Sequence, residues 1–265
     1  MNQRASLLTA LLLVATGAMA DGTIELNHDC ALAGCVPGDD PGYPITLVEG
    51  GQYRLSSDLL VPASSMGIYF DAPNARFVLD MSGFAIRGPY TCAGVPVSGC
   101  SGPGSAQSGI VLSSSARGGH LRNGVVSGFG GFGVDVDIDG SFELENVEFS
   151  QNALGGARLD TQIHNILARH SRFLRNGGTG LTSPFTSTLG TVIEDSLFYG
   201  NQGIGAEVTY GSIARSSFIS NGSFGAVGGI HGCVLHLNRF RGNNGGAAQF
   251  ASCAHVDNVC GTGPC

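Results

Sequence analysis

Lysine and tryptophan are absent from this sequence of 265 residues, and only 12% of its residues are charged. Its 13 arginines stand against 20 acidic residues, so the formal net charge is −7 at pH 7. A chain with this balance does not attract nucleic acid or an anionic membrane surface, and we expect neither as a partner. The missing lysine also excludes mechanisms that need a lysine side chain. With 43 glycines and no tryptophan, the composition favours tight turns over bulky helical packing.

Long apolar runs are also missing, because no stretch after the N-terminus reaches the roughly 20 residues that a membrane-spanning helix needs. The apolar run from Leu7 to Val14 is shorter, follows Arg4 and precedes Ala18-Met19-Ala20. This order is typical of a secretory signal peptide. We therefore predict a signal peptide over residues 1–20, cleavage near Ala20, and a secreted or periplasmic protein with a net charge of −8 after Arg4 is lost.

What the sequence does contain is a repeat, in which a phenylalanine is followed three residues later by an asparagine. The five clearest copies are Phe149/Asn152, Phe173/Asn176, Phe198/Asn201, Phe218/Asn221 and Phe240/Asn243. Successive phenylalanines lie 24, 25, 20 and 22 residues apart, and the asparagines keep the same spacings. A period in this range is typical of a stacked solenoid.

The repeat is too short and too rich in glycine for a helical solenoid, which needs roughly 34 residues per unit. It alternates instead, since Val134, Val136 and Ile138 are separated by aspartates, as in a strand with one buried face. Stacking would place each phenylalanine about 4.8 Å from the next and let the asparagine amides bond to one another. We therefore predict an all-β, parallel β-helix of about 8–9 coils with short caps.

The glycine-led entries Gly109-Ile110-Val111-Leu112 and Gly67-Ile68-Tyr69-Phe70, with the Phe-x-x-Asn repeat, resemble the right-handed parallel β-helix proteins of the pectate-lyase-like superfold. The tail from Asn258 to Cys265 is similar to that of secreted bacterial repeat proteins with paired terminal cysteines. The resemblance covers about residues 45–265 and implies a right-handed, single-stranded solenoid. It implies no single activity, because the superfold carries lyases, hydrolases, epimerases and adhesins. The arginine-centred proline motif of the lyases and the Gly-His-Gly of the polygalacturonases are not present.

The predicted organisation is a signal peptide (1–20), an N-terminal cap (21–50), the β-helix (51–250) and a C-terminal disulfide cap (251–265). Caps are expected because a solenoid end exposes strand edges and core. Residues 88–108 are rich in Gly, Pro, Ser and Cys and predict an inserted loop. Such a loop is either one wall of a binding groove or a passive excursion of a turn.

Eight cysteines in an exported chain are expected to form disulfides. Three pairs are close in sequence: Cys30 with Cys35, Cys92 with Cys100, and Cys260 with Cys265. Cys233 and Cys253 lie 20 residues apart, about one coil, which should place them within disulfide reach. The alternative there is a zinc site that combines these two cysteines with His231, His236 and His255. The export route favours the disulfide.

Acidic side chains collect on the predicted outer face of the strands that follow each glycine entry. One outward column would hold Asp135, Arg158, Thr182 and Glu207, and the next would hold Asp71, Ser113, Asp137, Asp160, Pro184 and Thr209. Asp135, Asp137, Asp139 and Asp160 are therefore candidate calcium ligands. Asp137 and Asp160 are also candidate catalytic carboxylates, and the resemblance to pectate lyases implies Arg158 as a base. The alternative is a solvated strand face with compensating arginine.

Other charged residues predict structure rather than chemistry. Glu145, Arg169 and Glu194 occupy matching places on successive coils, as do Glu148 and Arg172, which indicates ion-pair ladders. His170 and Asp195 take the place of Asn146 in later copies, which indicates a turn position rather than a catalytic pair.

Two functions from different classes fit these patterns. The first is an exported, monomeric, non-catalytic solenoid that binds polysaccharide or a cell-surface glycan or serves a structural role. The second is a polysaccharide lyase or glycoside hydrolase that acts on acidic polysaccharide, with calcium as the candidate cofactor. The missing lysine and the missing catalytic signatures favour the first.

Overall fold

The computed structural model describes residues 22–160, 165–183, 190–229, 232–261 and 263–265. The predicted signal peptide, as well as Pro184 and His231, lies outside the described residues. No helix among the described residues has the length and apolar character needed to cross a membrane.

The chain winds into a parallel β-helix in which each coil contributes three short strands. One strand of each coil joins a nine-stranded parallel sheet. Its strands are Ile45–Leu47, Ile68–Phe70, Ile110–Leu112, Phe132–Asp137, Gly155–Asp160, Thr179–Ser183, Ala206–Val208, Ala226–Gly228 and Phe250–Ala251. Nine successive strands correspond to about eight turns of the solenoid, as the repeat predicted.

The other two strands of each coil belong to an eighteen-stranded sheet that forms two rows. The first row holds Thr23–Leu26, Gly51–Leu55, Arg76–Asp80, Asn165–Arg169, Thr191–Glu194, Gly211–Ala214, Cys233–His236 and Cys253–Val256. The second row holds Leu59–Leu60, Ala85–Arg87, Arg172–Leu174, Leu197–Tyr199, Ser217–Ile219, Arg239–Arg241 and Val259–Cys260, with Gly263–Pro264 antiparallel at its end. Two long strands, Gly118–Ser127 and Ser141–Ser150, run through both rows.

From the coil of Asn123 onward, a single residue in the left-handed conformation turns the chain between the two rows. The residues at this turn are Asn123, Asn146, His170, Asp195, Arg215, Leu237 and Asp257, with φ between 49° and 58°. Asparagine and aspartate tolerate this conformation well, whereas a leucine or arginine is strained there. His170 and Asp195 therefore occupy a turn position, as the sequence pattern indicated.

The interior is filled by the predicted column of phenylalanine rings. Phe149, Phe173, Phe198, Phe218 and Phe240 are fully buried. Successive ring centroids are 5.4, 4.7, 4.7 and 4.9 Å apart, and the rings are stacked. Each ring lies in the second row, opposite its neighbour one coil away.

The predicted asparagine ladder follows the ring column at the corner that leads into the nine-stranded sheet. Asn201 Oδ1 accepts hydrogen bonds from the backbone N and the Nδ2 of Asn176, both at 3.0 Å. Asn201 Nδ2 donates to the Phe173 carbonyl at 3.0 Å and to Asn221 Oδ1 at 2.9 Å. The ladder residues are at most 1% exposed. They satisfy backbone groups that the corner leaves without a sheet partner.

A second internal ladder, which sequence analysis missed, lies beneath the left-handed turns. It consists of Ser171, Ser196, Ser216, Asn238 and Asn258, all buried. The backbone N of each of the first four donates to the side-chain oxygen of the next, at 2.8 to 3.2 Å. Its signal is weak in the sequence because the residue type changes from serine to asparagine along the solenoid.

The ends of the solenoid differ in construction. At the N-terminal end a short helix, His28–Ala33, follows the cap residue Asn27, whose side chain accepts a hydrogen bond from Cys30 N. The segment assigned to the N-terminal cap also supplies Thr23–Leu26 to the first row and Ile45–Leu47 to the nine-stranded sheet. At the other end, a 3-10 turn at Asn243–Gly246 precedes the last coil. The division of the chain into caps and β-helix remains a prediction.

The insertion at 88–108 contains an antiparallel hairpin of Thr91–Gly94 and Val97–Ser101. The hairpin lies against the second-row turns of later coils. Val97 N donates to the Gly200 carbonyl at 2.9 Å, and Arg175 Nη2 donates to the Cys92 carbonyl at 3.2 Å. The insertion is thus fastened to the solenoid at a corner.

The structure contains four disulfides, Cys30–Cys35, Cys92–Cys100, Cys233–Cys253 and Cys260–Cys265. Cys233 and Cys253 face each other on adjacent strands of the first row. In this pairing neither cysteine offers a thiolate to zinc.

Peptide mapping without reduction should recover these four linkages and no free thiol. The Cys233–Cys253 linkage is the most informative, because it alone joins one coil to the next and its 20-residue loop should stabilise the fold by about 3 kcal/mol. A free thiol at Cys233 or Cys253 would contradict the pairing.

Replacement of Asn201 by alanine should lower the free energy of unfolding by about 3 kcal/mol or more. The change leaves the Asn176 N–H and the Phe173 carbonyl buried without their partner, and each such group costs about 1–3 kcal/mol. Asn165→Ala is the control, because Asn165 is exposed at the start of a strand and should change stability by less than about 0.5 kcal/mol. Equal denaturation midpoints for the two variants in urea would show that the ladder is not a stabilising element.

Candidate functional site

The candidate site lies on the outer face of the nine-stranded sheet, where the first predicted column is present. The second column is not entirely outward as predicted, because Thr209 is buried. Asp135, Arg158, Thr182 and Glu207 are register partners on four successive strands. The residues before them, Val134, Ala157, Leu181 and Ala206, are fully buried and point into the core. Strand alternation therefore sends the charged and hydroxyl side chains outward.

Arg158 and Asp135 form a bidentate ion pair across two coils. Arg158 Nε and Nη2 donate to the two carboxylate oxygens of Asp135 at 2.8 and 2.9 Å. The guanidinium also lies over the Phe132 ring, 5.2 Å from its centroid. Two donors and one aromatic face fix the orientation of this arginine. An arginine held in this way is poorly placed to act as the base that the resemblance to pectate lyases implied.

Burial raises the pKa of the Asp135 carboxyl, whose side chain is 19% exposed. The hydrogen bonds and charge of Arg158 act in the opposite direction, and the neighbouring Asp137 adds to the rise. A carboxyl with a raised pKa beside a second carboxylate is a feature that acid catalysts share. The bidentate contact with Arg158, however, stabilises the ionised form of Asp135.

The remaining candidate carboxylates do not share one environment. Asp137 is exposed and is the register partner of Asp160 on the next strand. The side chain of Asp160 lies outside the described residues. Asp139 pairs with Arg117, whose Nη1 lies 3.0 Å from Asp139 Oδ2. Two of the four calcium candidates, Asp135 and Asp139, therefore already have an arginine partner.

Further hydrogen bonds link outward side chains along this face. Ser113 Oγ donates to Asp71 Oδ1 at 2.7 Å, and Ser115 Oγ donates to the same oxygen at 3.1 Å. Thr182 Oγ1 donates to Glu207 Oε2 at 3.3 Å one coil further along. The face thus presents hydroxyls and carboxylates whose positions are fixed by neighbours on adjacent coils.

The predicted charge ladders lie on a different surface, the outer face of the first row. Asp80, Arg122, Glu145, Arg169 and Glu194 occupy one column there. Arg122 Nε lies 3.0 Å from Asp80 Oδ2, and Arg169 Nε lies 4.0 Å from Glu145 Oε1. In the second row, Arg172 pairs with Glu148 at 3.3 Å. Exposed pairs of this kind contribute about 0–1 kcal/mol each.

Sequence analysis missed a group of side chains beside this ladder. His120, Glu143 and Glu145 each offer a ligand atom, and these atoms all lie within 4.8 Å of one another. His120 and Glu143 are register partners on adjacent strands. Alignment of His120-Leu121-Arg122 with Glu143-Leu144-Glu145 one coil later would have revealed the pair.

Comparison with protein families finds a match to the right-handed β-helix region over residues 83–258. A search of curated proteins and a search of solved structures each found no match. The match spans more than half of the chain and coincides with the stacked coils described above. The chain therefore belongs to the right-handed β-helix family.

Proposed function

We propose that this protein is an exported, non-catalytic β-helix that binds a polysaccharide or a cell-surface glycan along the outer face of its nine-stranded sheet. The observation that carries the proposal is the set of fixed polar side chains on that face. Arg158 with Asp135, Ser113 with Asp71, and Thr182 with Glu207 are each held by a partner one coil away.

Such an array supports binding because its groups recur at the strand spacing of about 4.8 Å, so a chain of repeating sugars can meet similar groups on successive coils. Side chains that are already ordered lose little conformational entropy when a ligand binds. The negative charge of the face, where Asp71, Asp135, Asp137 and Glu207 outnumber Arg158, favours neutral sugars over uronates in the absence of a cation. Export through a signal peptide at residues 1–20 is part of this proposal.

Two observations favour a catalytic alternative. Burial raises the pKa of the Asp135 carboxyl, and Asp137 and Asp160 are register partners on adjacent strands. One carboxyl with a raised pKa near an ionised one is the arrangement that glycoside hydrolases use. In this alternative the protein would be a lyase or hydrolase that acts on acidic polysaccharide with calcium.

Binding to a panel of neutral and uronate polysaccharides, with and without calcium, separates the two functions. We expect at least one neutral polysaccharide to bind without release of reducing ends or of unsaturated product. Thr182→Ala together with Glu207→Ala should weaken that binding about tenfold, since two hydrogen-bonding groups are lost. Glu148→Ala, on the second row, is the control and should leave affinity unchanged. Product release from any member of the panel would replace binding by catalysis as the function.

Calcium dependence of the melting temperature tests the acidic columns directly. Asp137 and the Asp160 position face each other on adjacent strands, and like charges placed so are destabilising unless a cation compensates. If calcium binds there, it should raise the melting temperature with concentration. Asp137→Asn with Asp160→Asn should abolish that rise while leaving the calcium-free protein equally or slightly more stable. If calcium does not change the melting temperature of the parent, these aspartates are ordinary solvated surface residues and do not form a calcium site.

A further inference from the structure

The charge ladder on the first row accounts for one column of charged residues, but His120 and Glu143 lie outside that column. The ladder column alternates in sign, from Asp80 through Arg122, Glu145 and Arg169 to Glu194. The neighbouring outward column is otherwise uncharged, since His120 and Glu143 are flanked there by Val78, Leu167, Val192 and Ser212. The strand register of that column alone gives no reason for a histidine to lie beside a glutamate.

His120 is placed against the two glutamates without a hydrogen bond. Its Nε2 atom lies 3.4 Å from Glu145 Oε2, and the side chain is 20% exposed. The Nε2 atom itself is buried and has no hydrogen-bond partner. A buried polar atom without a partner costs about 1–3 kcal/mol, so its retention at this place indicates a ligand.

Arg169 orients the carboxylates rather than filling the site. It donates from Nη2 to Glu143 Oε1, and its Nε lies 4.0 Å from Glu145 Oε1. The second oxygen of Glu145 is the one that faces His120. A guanidinium that donates to one oxygen of Glu143 and lies near one oxygen of Glu145 leaves the other oxygen of each carboxylate for a cation, as outer partners of metal ligands do.

We propose that His120 Nε2 and the carboxylates of Glu143 and Glu145 bind a divalent transition metal such as Zn²⁺. One imidazole nitrogen with two carboxylate oxygens suits zinc, whereas calcium and magnesium prefer oxygen ligands alone. Tetrahedral zinc needs its ligand atoms about 3.4 Å apart, and these three lie within 4.8 Å, so small side-chain rotations complete the site. The site lies on the first row and does not depend on the proposed glycan-binding face.

Calorimetric titration with Zn²⁺ tests the proposal. The purified protein keeps its four disulfides and is treated with a chelator before the titration. The parent should bind one Zn²⁺ per chain at this site, and calcium in excess should not displace it. His120→Ala and Glu143→Gln should each lower the affinity at least about tenfold. The parent should also melt at a higher temperature as free Zn²⁺ rises, and the two variants should not.

Two control variants separate metal binding from the ion pairs and from other histidines. His236→Ala removes an exposed first-row histidine whose register neighbours are Ala214 and Val256. Glu148→Gln breaks an ion pair with Arg172 on the same strand as Glu143. Both should bind Zn²⁺ as the parent does. Absence of Zn²⁺ binding in the parent, or unchanged affinity in His120→Ala, overturns the proposal.

Discussion

The structure depends on how the corners of a coil satisfy their buried backbone groups. Along the strands, neighbouring coils pair with each other, but at each corner the backbone leaves the sheets and would lose its partners. The asparagine amides replace them, because the side chain of Asn201 accepts a hydrogen bond from Asn176 on the preceding coil and donates one to the Phe173 carbonyl of that same coil. Since an amide has both donors and an acceptor, the same residue can repeat at every corner without an unsatisfied atom.

That constraint also selects the residues around the corner. The entry glycine of the next strand must pass the ring and the amide closely, and a Cβ on Gly180 would lie 3.0 Å from the Phe198 ring and 3.1 Å from Asn201 Nδ2. A larger residue there would displace one or the other, since 3.0 Å is too short for an ordinary carbon contact. Glycine, phenylalanine and asparagine therefore recur as one unit, and the coils keep their register through their interior.

The fold could be predicted from the sequence because the strongest repeat consists of residues that fill the interior of the solenoid. The Phe-x-x-Asn spacing keeps the same two residue types and reports the coil period directly, so the stacked rings and amides could be predicted. The ladder from Ser171 to Asn258 could not, because two residue types serve one role. For the candidate site, the sequence predicted only which residues face outward on adjacent strands. Strand alternation placed Asp135 and Arg158 there, but their bidentate contact depends on side-chain conformation. His120 and Glu143 were missed because coil length varies, so their juxtaposition follows from register and not from a fixed spacing.

A core that fixes the register also separates the surfaces of the solenoid from one another. The outer face of the nine-stranded sheet and the outer face of the first row carry different chemistry, with hydroxyls and carboxylates on one and an imidazole with two glutamates on the other. Ligands are coupled only when both bias an equilibrium between two arrangements of the protein. Stacked rings and hydrogen-bonded amides keep the coils between the two faces in register, because moving one coil against its neighbour would break the contacts of that coil in both internal ladders. Ligands at the two proposed sites should therefore add their stabilisation independently.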